Sequence, residues 1–301
     1  MRQNAAAAAP TFDERVALRA TDMSPAERRV VRYFQGNREE VLISSAAALG
    51  AKAETSDATV VRATRALGFS GLDELRRALA DELRSSLSPA ERLSRTLDEV
   101  GDDLFAAFRM TLEIHAGSLE SLRRSITPEL FEKAVDAIAG AGRVLVFGLG
   151  PSRAVADYLV IQLGRFGLIA EALSNTGLLF ADDLRRLRAG DLVVILAYGR
   201  VYAELAALLD EIARLRLRSF LITDSLAGTL RHRVDFVLPV PRGRAEMLSM
   251  HTVTLGFIEA LLVGVATRRP AETLASLQAL NEAREKLGGK AASLSTARPP
   301  R

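Results

Sequence analysis

The sequence predicts two domains of different fold class: an all-α amino-terminal domain that contains a helix-turn-helix, and an α/β carboxy-terminal domain. The chain has 301 residues, which suits about two domains of roughly 150 residues each. Apolar residues recur at helical spacing in the first part, whereas from Arg143 onward short apolar runs alternate with helix-like stretches. Short buried strands separated by helices indicate a doubly wound, mostly parallel five-stranded sheet with helices on both faces.

Changes in composition divide the chain into five segments. Both ends are rich in small residues and lack periodicity, which is typical of disordered tails. A helical stretch separates the two domains. The expected segments are a tail over residues 1–12, the helix-turn-helix domain over 13–87, a helical linker over 88–126, the α/β domain over 127–287 and a second tail over 288–301.

Capping residues mark where the helices of the amino-terminal domain begin. The stretch Ser24-Pro25-Ala26-Glu27 combines a serine cap, a proline at the first helical position and a glutamate that reaches back. Ser45 precedes a second short helix, and Ser56 precedes a third that runs to Leu67. A fourth helix is expected after Ser70, and the same cap returns at Ser88-Pro89-Ala90-Glu91, where the linker begins.

The second and third of these helices form a pair of the kind that reads DNA, because the second member can enter the major groove. Val60, Thr64 and Leu67 share one stripe and are expected to point inward. Hydroxyl and guanidinium groups on the other side can contact phosphates or bases. The outward residues are then Ser56, Thr59, Arg62 and Arg65. The alternative is a plain helical bundle that exposes two arginines.

The strands of the second domain are predicted from five apolar runs. A helix is expected to begin at Thr127, before the first strand, and a final helix to span residues 247–267. The strand candidates are residues 144–147, 169–173, 192–196, 220–222 and 236–240.

A glycine-containing turn follows the first of these strands. Gly148-Leu149-Gly150-Pro151-Ser152 opens a helix, whose backbone amides favour an anion, and Ser152 adds a hydroxyl. A dinucleotide site is an alternative, because Glu171 lies 21 residues beyond Gly150. The third glycine of that pattern is absent, since position 153 is arginine. We therefore expect no nicotinamide cofactor, and no other cofactor.

Four stretches of the amino-terminal domain resemble the DNA-binding domain of RpiR/MurR-type regulators, in the same order. That family has an LT-P-x-E start, a recognition helix of the form S-x-A-T-V-x-R, and LGF-x-G after it. The departure is Ala63, where the family usually has an aromatic residue, which implies a different packing of this helix. The matching stretches are residues 23–28, 46–50, 56–62 and 67–75.

The second domain resembles the sugar-isomerase (SIS) domain of the same family. Gly148-x-Gly150-x-Ser152 is similar to its first phosphate loop, residues 191–199 to its third strand and second loop, and Ile222-Thr223-Asp224-Ser225 to its fourth strand. The resemblance implies a transcriptional regulator whose SIS domain binds a phosphosugar-like anionic metabolite at the strand ends. It also implies a homodimer or homotetramer that binds double-stranded operator DNA.

The second loop departs from the SIS pattern S-x-S-G-x-T, because it reads Ala197-Tyr198-Gly199-Arg200-Val201 and has lost the hydroxyls. Arg200 can supply a charge instead and Tyr198 a phenol, and Gly199 lies between them. Glu246 is a further candidate ligand-binding residue. Three alternatives stay open: the ligand is held differently, the ligand is not an ordinary sugar phosphate, or the domain has lost its pocket and only dimerises.

An enzyme is the main functional alternative, because SIS domains also occur in isomerases. Isomerisation needs a base, for which Glu246, His251 and His232 are the candidates. An attached DNA-reading domain favours the regulator, and we assign no catalytic residue.

Composition excludes several other classes of function. The chain has no cysteine, so disulfides, CxxC redox chemistry and cysteine-ligated zinc are excluded. No histidine has metal-ligand spacing, so no metal site is expected. The net charge of +3 requires that any contact with nucleic acid be local. The most apolar stretch, residues 255–266, is too short to span a bilayer, so we expect a cytoplasmic protein without a membrane partner.

Overall fold

The computed structural model describes residues 10–288, and this part of the chain forms two compact units. The first unit extends to Leu112 and also contains two short segments from later in the chain, Asp224–Leu230 and Gly243–Ser249. The second unit contains Glu113–Thr223, Arg231–Arg242 and the residues from Met250 onward. Two segments from the α/β half of the sequence are therefore structurally part of the helical unit.

Helices make up the first unit. Thr11, Ser24, Ser45, Ser56 and Ser88 cap five of them, and each side chain accepts a hydrogen bond from a backbone amide in the first turn. The capping boxes expected at Ser24 and Ser88 are both formed. The helices before the linker are α1 (Phe12–Arg19), α2 (Pro25–Gly36), α3 (Arg38–Ile43), α4 (Ala46–Lys52), α5 (Asp57–Ala66) and α6 (Leu72–Ser86).

The helix-turn-helix consists of α4 and α5, and both helices pack against α2. Its core contains the fully buried side chains of Phe34, Leu49, Val60 and Leu67. The two helices approach closely at Gly50, where a Cβ atom would lie 2.9 Å from the backbone nitrogen of Asp57. A side chain at this position would push the reading helix away from its partner.

Two helices occupy the region expected to be a helical linker, α7 (Pro89–Val100) and α8 (Leu104–Ser125). The break between them falls at Gly101, which has a φ of 64°. The helical prediction for this region is confirmed.

A five-stranded parallel sheet organises the second unit, in the order β2-β1-β3-β4-β5. All five predicted strands are present. Because β1 lies between β2 and β3, the strand order reverses beside β1. The strands are β1 (Val144–Gly148), β2 (Ala170–Leu173), β3 (Leu192–Leu196), β4 (Arg218–Thr223) and β5 (Phe236–Pro239).

Helices cover both faces of the sheet, as predicted. On one face Val144 and Val146 belong to a core that includes residues of three of the helices, α9, α10 and α14. On the other face the ring of Phe147 meets Phe180 of α11 edge-on, at 5.7 Å between centroids. The helices of this half are α9 (Pro128–Ala139), α10 (Pro151–Arg165), α11 (Phe180–Arg186), α12 (Ala203–Leu215), α13 (Ala227–Leu230), α14 (Thr252–Arg268) and α15 (Pro270–Gly288).

The prediction for the end of the chain was wrong in two respects. The helix expected over residues 247–267 begins only at Thr252, because the preceding residues form a loop that closes with a hydrogen bond from the Met250 amide to the Arg242 carbonyl, at 3.4 Å. The helix α15 was not predicted at all. Of the expected tails, residues 1–9 and 289–301 lie outside the described residues, and α1 already begins at Phe12.

No helix within residues 10–288 has the length and apolar character needed to cross a membrane.

Candidate functional site

The exposed face of α5 carries both arginines that were predicted to read DNA. Arg62 and Arg65 are exposed, whereas Val60 and Thr64 are fully buried. The inward and outward faces of this helix are therefore as predicted for these residues. Ser56 is the cap residue at the beginning of the helix and is exposed, as predicted.

Thr59 does not point outward, which corrects the prediction for that residue. Its side chain is only 5 % exposed, and its Oγ1 lies 3.0 Å from the Ser56 Oγ. The same oxygen accepts a hydrogen bond from Arg62 Nη2 at 3.0 Å. A threonine in the first turn can lie inward because its hydroxyl finds partners at the cap. Thr59 therefore orients Ser56 and Arg62 and is not itself on the surface of the helix.

A second group that orients Arg62 comes from α2. Glu27 Oε1 lies 4.0 Å from Arg62 Nε. Hydrogen bonds from Ser24 hold the pKa of Glu27 below its usual value, so this carboxylate is charged at neutral pH. Sequence reasoning assigned Glu27 only to the capping box. Its contact with α5 depends on the packing of α2 against α5, which no local pattern specifies.

The glycine turn after β1 has the predicted strand-to-helix geometry. Gly150 is the cap residue of α10, and Ser152 lies in the first turn and is 6 % exposed. A Cβ atom at Gly148 would lie 2.6 Å from the Ser152 carbonyl oxygen. Gly148 therefore permits α10 to begin close to the end of β1.

The second loop begins at the neighbouring strand end, because Gly148 of β1 is paired with Leu196 of β3. Tyr198 follows β3 and is 9 % exposed. Its hydroxyl lies 3.1 Å from Thr254 Oγ1 in buried surroundings, and the ring meets His251 edge-on at 5.3 Å. The phenol expected to contact a ligand thus has a partner on the protein's own helix α14.

A third strand end contributes a residue that sequence reasoning missed. The guanidinium carbon of Arg242 lies 4.1 Å from the centre of the Tyr198 ring. Arg242 lies three residues beyond the end of β5, so a charged residue shortly after a strand was the available signal. Arg200 is exposed beside Gly199 in the second loop. The strand-end pocket, defined here as residues 148–152, residues 198–200 and Arg242, therefore carries two arginines.

Glu246 is placed in a different unit from the other candidate ligand-binding residues. It belongs to the segment Gly243–Ser249, which clusters with the helical unit. Its Oε1 accepts a hydrogen bond from Arg244 Nε at 2.9 Å, and Arg244 Nη1 lies 2.7 Å from Glu99 of α7. The carboxylate therefore takes part in an ion-pair chain that ends on the linker helix.

The acidic residue of the dinucleotide alternative does not lie at the carboxyl end of its strand. Glu171 is the second residue of β2, and its side chain bonds Arg186 and Arg143. Hydrogen bonds from Arg186, together with the charges of both arginines, lower the pKa of Glu171. This carboxylate is part of an ion-pair network. The dinucleotide alternative therefore no longer has an acidic residue at the end of a strand.

The two histidine candidates for the catalytic base of an isomerase, His232 and His251, do not form a group at the strand ends. His232 is exposed. His251 immediately precedes α14, and its Nδ1 lies 3.3 Å from Thr254 Oγ1. His115 Nε2 lies 3.1 Å from Thr252 Oγ1.

Two family models match the chain. One matches its helical amino-terminal part and the other its α/β part. The model described as a helix-turn-helix domain of the rpiR family matches residues 12–86. The SIS domain model matches residues 137–264.

Curated relatives match most of the chain. The HTH-type transcriptional regulator HexR of Pseudomonas aeruginosa is 28 % identical over 272 residues, covering 89 % of this chain and 94 % of that protein. HexR of Escherichia coli is 26 % identical, with 90 % and 93 % covered. The bifunctional protein glk of Paraburkholderia xenovorans is 27 % identical over 90 % of this chain. This chain spans only 42 % of the length of that bifunctional relative.

Solved structures share the fold. The sugar isomerase domain of an RpiR transcription factor from Sphaerobacter thermophilus is 26 % identical, with a TM-score of 0.52 over 58 % of this chain and 99 % of that one. NanR of Vibrio vulnificus, solved in complex with ManNAc-6P, is 21 % identical and has a TM-score of 0.56 over 92 % of this chain and 99 % of that one. Together with the ordered helix-turn-helix and the five-stranded parallel sheet, these matches show that the chain belongs to the RpiR family of helix-turn-helix transcriptional regulators with a SIS domain.

Proposed function

We propose that this protein is a transcriptional regulator that binds operator DNA through α5 and changes its affinity when the SIS domain binds a small anionic metabolite of the phosphosugar type. The observation that carries the proposal is the exposed pair Arg62 and Arg65 on a helix whose other face is buried. Arginines on the outer face of the second helix of such a pair can contact guanine edges or phosphates.

The strand-end pocket supports an anionic ligand. The loops after β1 and β3 lie at the same edge of the sheet, beside the point where the strand order reverses. Ligands of open α/β sheets bind in the crevice at this position. The first loop ends at the beginning of the 15-residue helix α10, whose amides favour negative charge. Arg200 and Arg242 add positive charge. NanR was solved with a phosphosugar, and a ligand of that class fits these residues.

The loop Gly243–Ser249 supports a route from the pocket to the DNA-binding unit. Its base is closed by Arg242 and Met250, whereas its body is held by α7. The Leu248 amide donates to Thr96 Oγ1 at 3.0 Å, and Arg92 Nη1 lies 2.8 Å from Ser249 Oγ. With the Arg244–Glu99 ion pair, these contacts form what we term the α7 clamp. A ligand that displaces Arg242 would therefore also displace the loop Gly243–Ser249, which α7 contacts through this clamp.

A pairing of two copies of the chain would support the proposal, because an operator with two half-sites needs two DNA-binding domains. The linker helices expose a row of large apolar side chains, among them Leu104, Phe105, Phe108 and Leu112. Residues 105, 108 and 112 have the 3–4 spacing of a helix that pairs with another helix. We propose that a second copy covers this face in a homodimer. Further apolar contacts on α14, where Val263 is exposed, would give a homotetramer.

An isomerase is the second candidate function, because SIS domains occur in isomerases. The geometry favours the regulator. Glu246 is engaged by Arg244, and His232 is exposed.

Gel retardation tests the proposed function directly. Purified protein is titrated into labelled DNA from the region upstream of its own coding sequence, at fixed salt, with and without glucose 6-phosphate as a phosphosugar probe. The proposal expects a discrete retarded band, and a phosphosugar panel beginning with this probe should change its midpoint. If neither this DNA nor scrambled DNA is retarded at micromolar protein, the regulator proposal fails, and an isomerase assay on the same preparation decides for the alternative.

A further inference from the structure

Three exposed arginines lie together where the strands of the sheet begin, at the edge opposite to the strand-end pocket. Arg218 is the first residue of β4 and is paired in register with Leu192, the first residue of β3. Arg216 precedes β4 by two residues, and Arg188 precedes β3 by four. Neighbouring strands lie about 4.8 Å apart, so the two chain segments enter the sheet side by side. We term Arg188, Arg216 and Arg218 the amino-edge patch.

Other charged groups near the patch are bound within the protein, whereas those of the patch are not. Arg214 at the end of α12 is exposed, and its Nε donates to Glu211 at 2.8 Å. The Asp235 carboxylate accepts a hydrogen bond from the Ser219 amide at 2.8 Å. Within residues 10–288, the structure gives no hydrogen bond or ion pair to the three guanidinium groups of the patch. Their donors face solvent.

The backbone holds Arg188 in a fixed turn before β3. The buried Asp191 side chain accepts a hydrogen bond from the Arg188 amide at 2.7 Å, and the Asp191 amide donates to the Arg188 carbonyl at 3.2 Å. Arg143 binds the same carboxylate through Nε and Nη2, at 2.9 and 2.7 Å. The turn is therefore rigid, and the exposed side chain of Arg188 extends from a fixed position.

Arg216 has a backbone conformation that glycine would adopt at lower cost. It ends α12 with a φ of 55° and a ψ of 45°, in the left-handed region. After α5 and α10 this chain has glycines with positive φ instead, Gly68 and Gly167. Arg214 already places a cation in the last turn of α12, where it complements the helix dipole. Backbone strain of this kind is typical of positions where the side chain has a function.

The composition of the patch suits duplex DNA better than a protein partner. Leu187 and Leu217, beside these arginines, are both 6 % exposed, so they offer a partner no apolar anchor. Protein interfaces have an apolar centre, whereas protein–DNA interfaces are more polar and much more positively charged. Guanidinium groups match phosphate oxygens in pairs. Successive phosphates of one strand rise by about 3.4 Å along the duplex, so closely spaced arginines can contact neighbouring phosphates.

We propose that the amino-edge patch binds the phosphate backbone of duplex DNA and gives the α/β unit a DNA contact of its own. The proposal rests on the proposed function for the identity of the partner, and it adds a contact outside α5 that carries no sequence information. The patch and the strand-end pocket lie at opposite edges of one sheet. A ligand in the pocket therefore does not compete with DNA for these arginines.

The experiment measures how DNA binding by the full chain depends on salt. Fluorescence anisotropy follows titrations of a labelled duplex of scrambled sequence over a potassium chloride series. The patch variant combines Arg188→Gln, Arg216→Gly and Arg218→Gln. The matched control removes the same number of charges from exposed arginines of the α/β unit that are held in ion pairs, through Arg123→Gln, Arg124→Gln and Arg214→Gln.

The control should bind the duplex like the wild type. The patch variant should bind at least about tenfold more weakly at low salt, because it has lost phosphate contacts. The slope of log K against log salt should become shallower by about 2 or more, since each phosphate contact contributes about 0.9. Arg216→Gly alone should not lower the unfolding temperature, because glycine adopts the left-handed conformation without strain.

Three results would overturn the inference. The first is a patch variant with the slope and affinity of the control. The second is a control that loses as much as the patch variant, which would indicate the general field of the unit and not a contact. The third comes from parallel titrations of labelled poly-L-glutamate: if the patch variant loses only this polymer and keeps its DNA slope, the patch binds an acidic protein segment.

Thermal unfolding establishes that the variants are folded. If the triple variant is not, Arg188→Gln and Arg218→Gln decide singly, each with an expected slope change of about 0.9. Sequence selectivity is measured separately, by competition with DNA from the upstream region. A wild type that binds every duplex equally contradicts the proposed regulator, whereas the slope of the patch variant still decides this assignment.

Discussion

At the scale of single residues, the DNA-reading surface is organised by side chains that do not themselves face outward. Arg62 lies between the Thr59 hydroxyl and the Glu27 carboxylate, at 3.0 and 4.0 Å. A long side chain held from two sides loses less conformational freedom when it meets DNA. The orientation of the exposed Arg62 side chain therefore depends on one buried hydroxyl and on one carboxylate from a neighbouring helix.

Substitution of Arg62 tests this surface. Arg62→Ala should weaken operator binding by roughly 1–3 kcal/mol if the side chain reads a base, and should leave the unfolding temperature unchanged because the side chain is exposed. The measurement is a fluorescence-anisotropy titration at fixed salt. Arg214→Ala is the control. An affinity equal to that of the control would remove Arg62 from the reading surface.

The buried hydroxyl can be tested in the same assay through a double-mutant cycle. Thr59→Val keeps the shape of the side chain but removes the acceptor for Arg62, so its effect should be smaller than that of Arg62→Ala. Thr59→Val combined with Arg62→Ala should then be no weaker than Arg62→Ala alone. Additive losses would mean that Thr59 acts independently of Arg62.

The pocket gives a second prediction at the residue scale. Ser152→Asp would place a carboxylate in the first turn of α10, where it repels a phosphate group. The variant should still retard operator DNA but should not respond to the phosphosugar that shifts the wild-type band. Arg200→Ala should behave in the same way. Wild-type responses from both variants would show that the strand-end pocket is not the sensing site.

At the scale of secondary-structure elements, α7 is more than a spacer between two domains. Its residues Arg92, Thr96 and Glu99 lie one turn apart and contact three positions of the loop Gly243–Ser249. Residues at such spacings share one face of a helix. The other face exposes Leu93 and Leu97, so α7 has one polar face for the loop and one apolar face for a partner.

The α7 clamp predicts an uncoupled protein when it is weakened. Thr96→Val removes the acceptor for the Leu248 amide, and Glu99→Gln removes the charge opposite Arg244. The double variant should bind operator DNA and phosphate like wild type, but phosphate or phosphosugar should no longer change DNA affinity. The measurement is operator anisotropy with and without glucose 6-phosphate, or whichever panel member shifts the wild type. Unchanged coupling would exclude this loop as the route.

Elements with strong local signals were predictable from the sequence, and elements defined by packing were not. All five strands and the caps at Ser24, Ser45, Ser56 and Ser88 were predicted, because apolar runs and capping residues act locally. Helix α15 was missed because its leucines are not confined to the buried face, and Leu274 is 68 % exposed. The residues of α15 are nevertheless mostly good helix formers, such as alanine, leucine and glutamate.

Tertiary contacts explain the errors at the site. Met247 and Leu248 looked like the beginning of the last helix, but Met247 is buried in the loop and the Leu248 amide bonds α7. The Tyr198 hydroxyl likewise lies close to the hydroxyl of a threonine 56 residues later, a contact that the sequence does not indicate. Neither partner lies within the range that local periodicity covers. The glycine turn was predictable because its geometry is set by adjacent residues.

At the scale of the whole molecule, the proposed function requires two copies of the chain. The rings of Phe105 and Phe108 stack on the surface of α8 at 5.5 Å, and Arg109 lies over the Phe105 ring. Exposed aromatic residues at helical spacing mark an interaction site when they form a continuous patch. An isologous pairing of this face would place two reading helices on one duplex.

Light scattering with the matched pair Phe108→Glu and Phe108→Leu tests this assembly. The wild type and Phe108→Leu should have at least the mass of a dimer at micromolar concentration, whereas Phe108→Glu should shift toward the monomer because it buries an unpaired charge. Phe108→Glu should also lose affinity for a two-half-site operator. A monomeric wild type, or a Phe108→Glu variant with the wild-type mass, would contradict pairing through α8.

The central claim is that the chain reads a specific DNA sequence, and selection from a pool of random duplexes tests it most directly. Immobilised wild-type protein and Arg62→Ala are carried through parallel rounds of binding and sequencing at fixed salt. The wild type should enrich an inverted repeat whose half-sites lie about one helical turn, or a multiple of it, apart. Arg62→Ala should lose enrichment at a discrete position within each half-site. If the wild type enriches no sequence beyond the starting pool, the protein does not read a specific DNA sequence through α5.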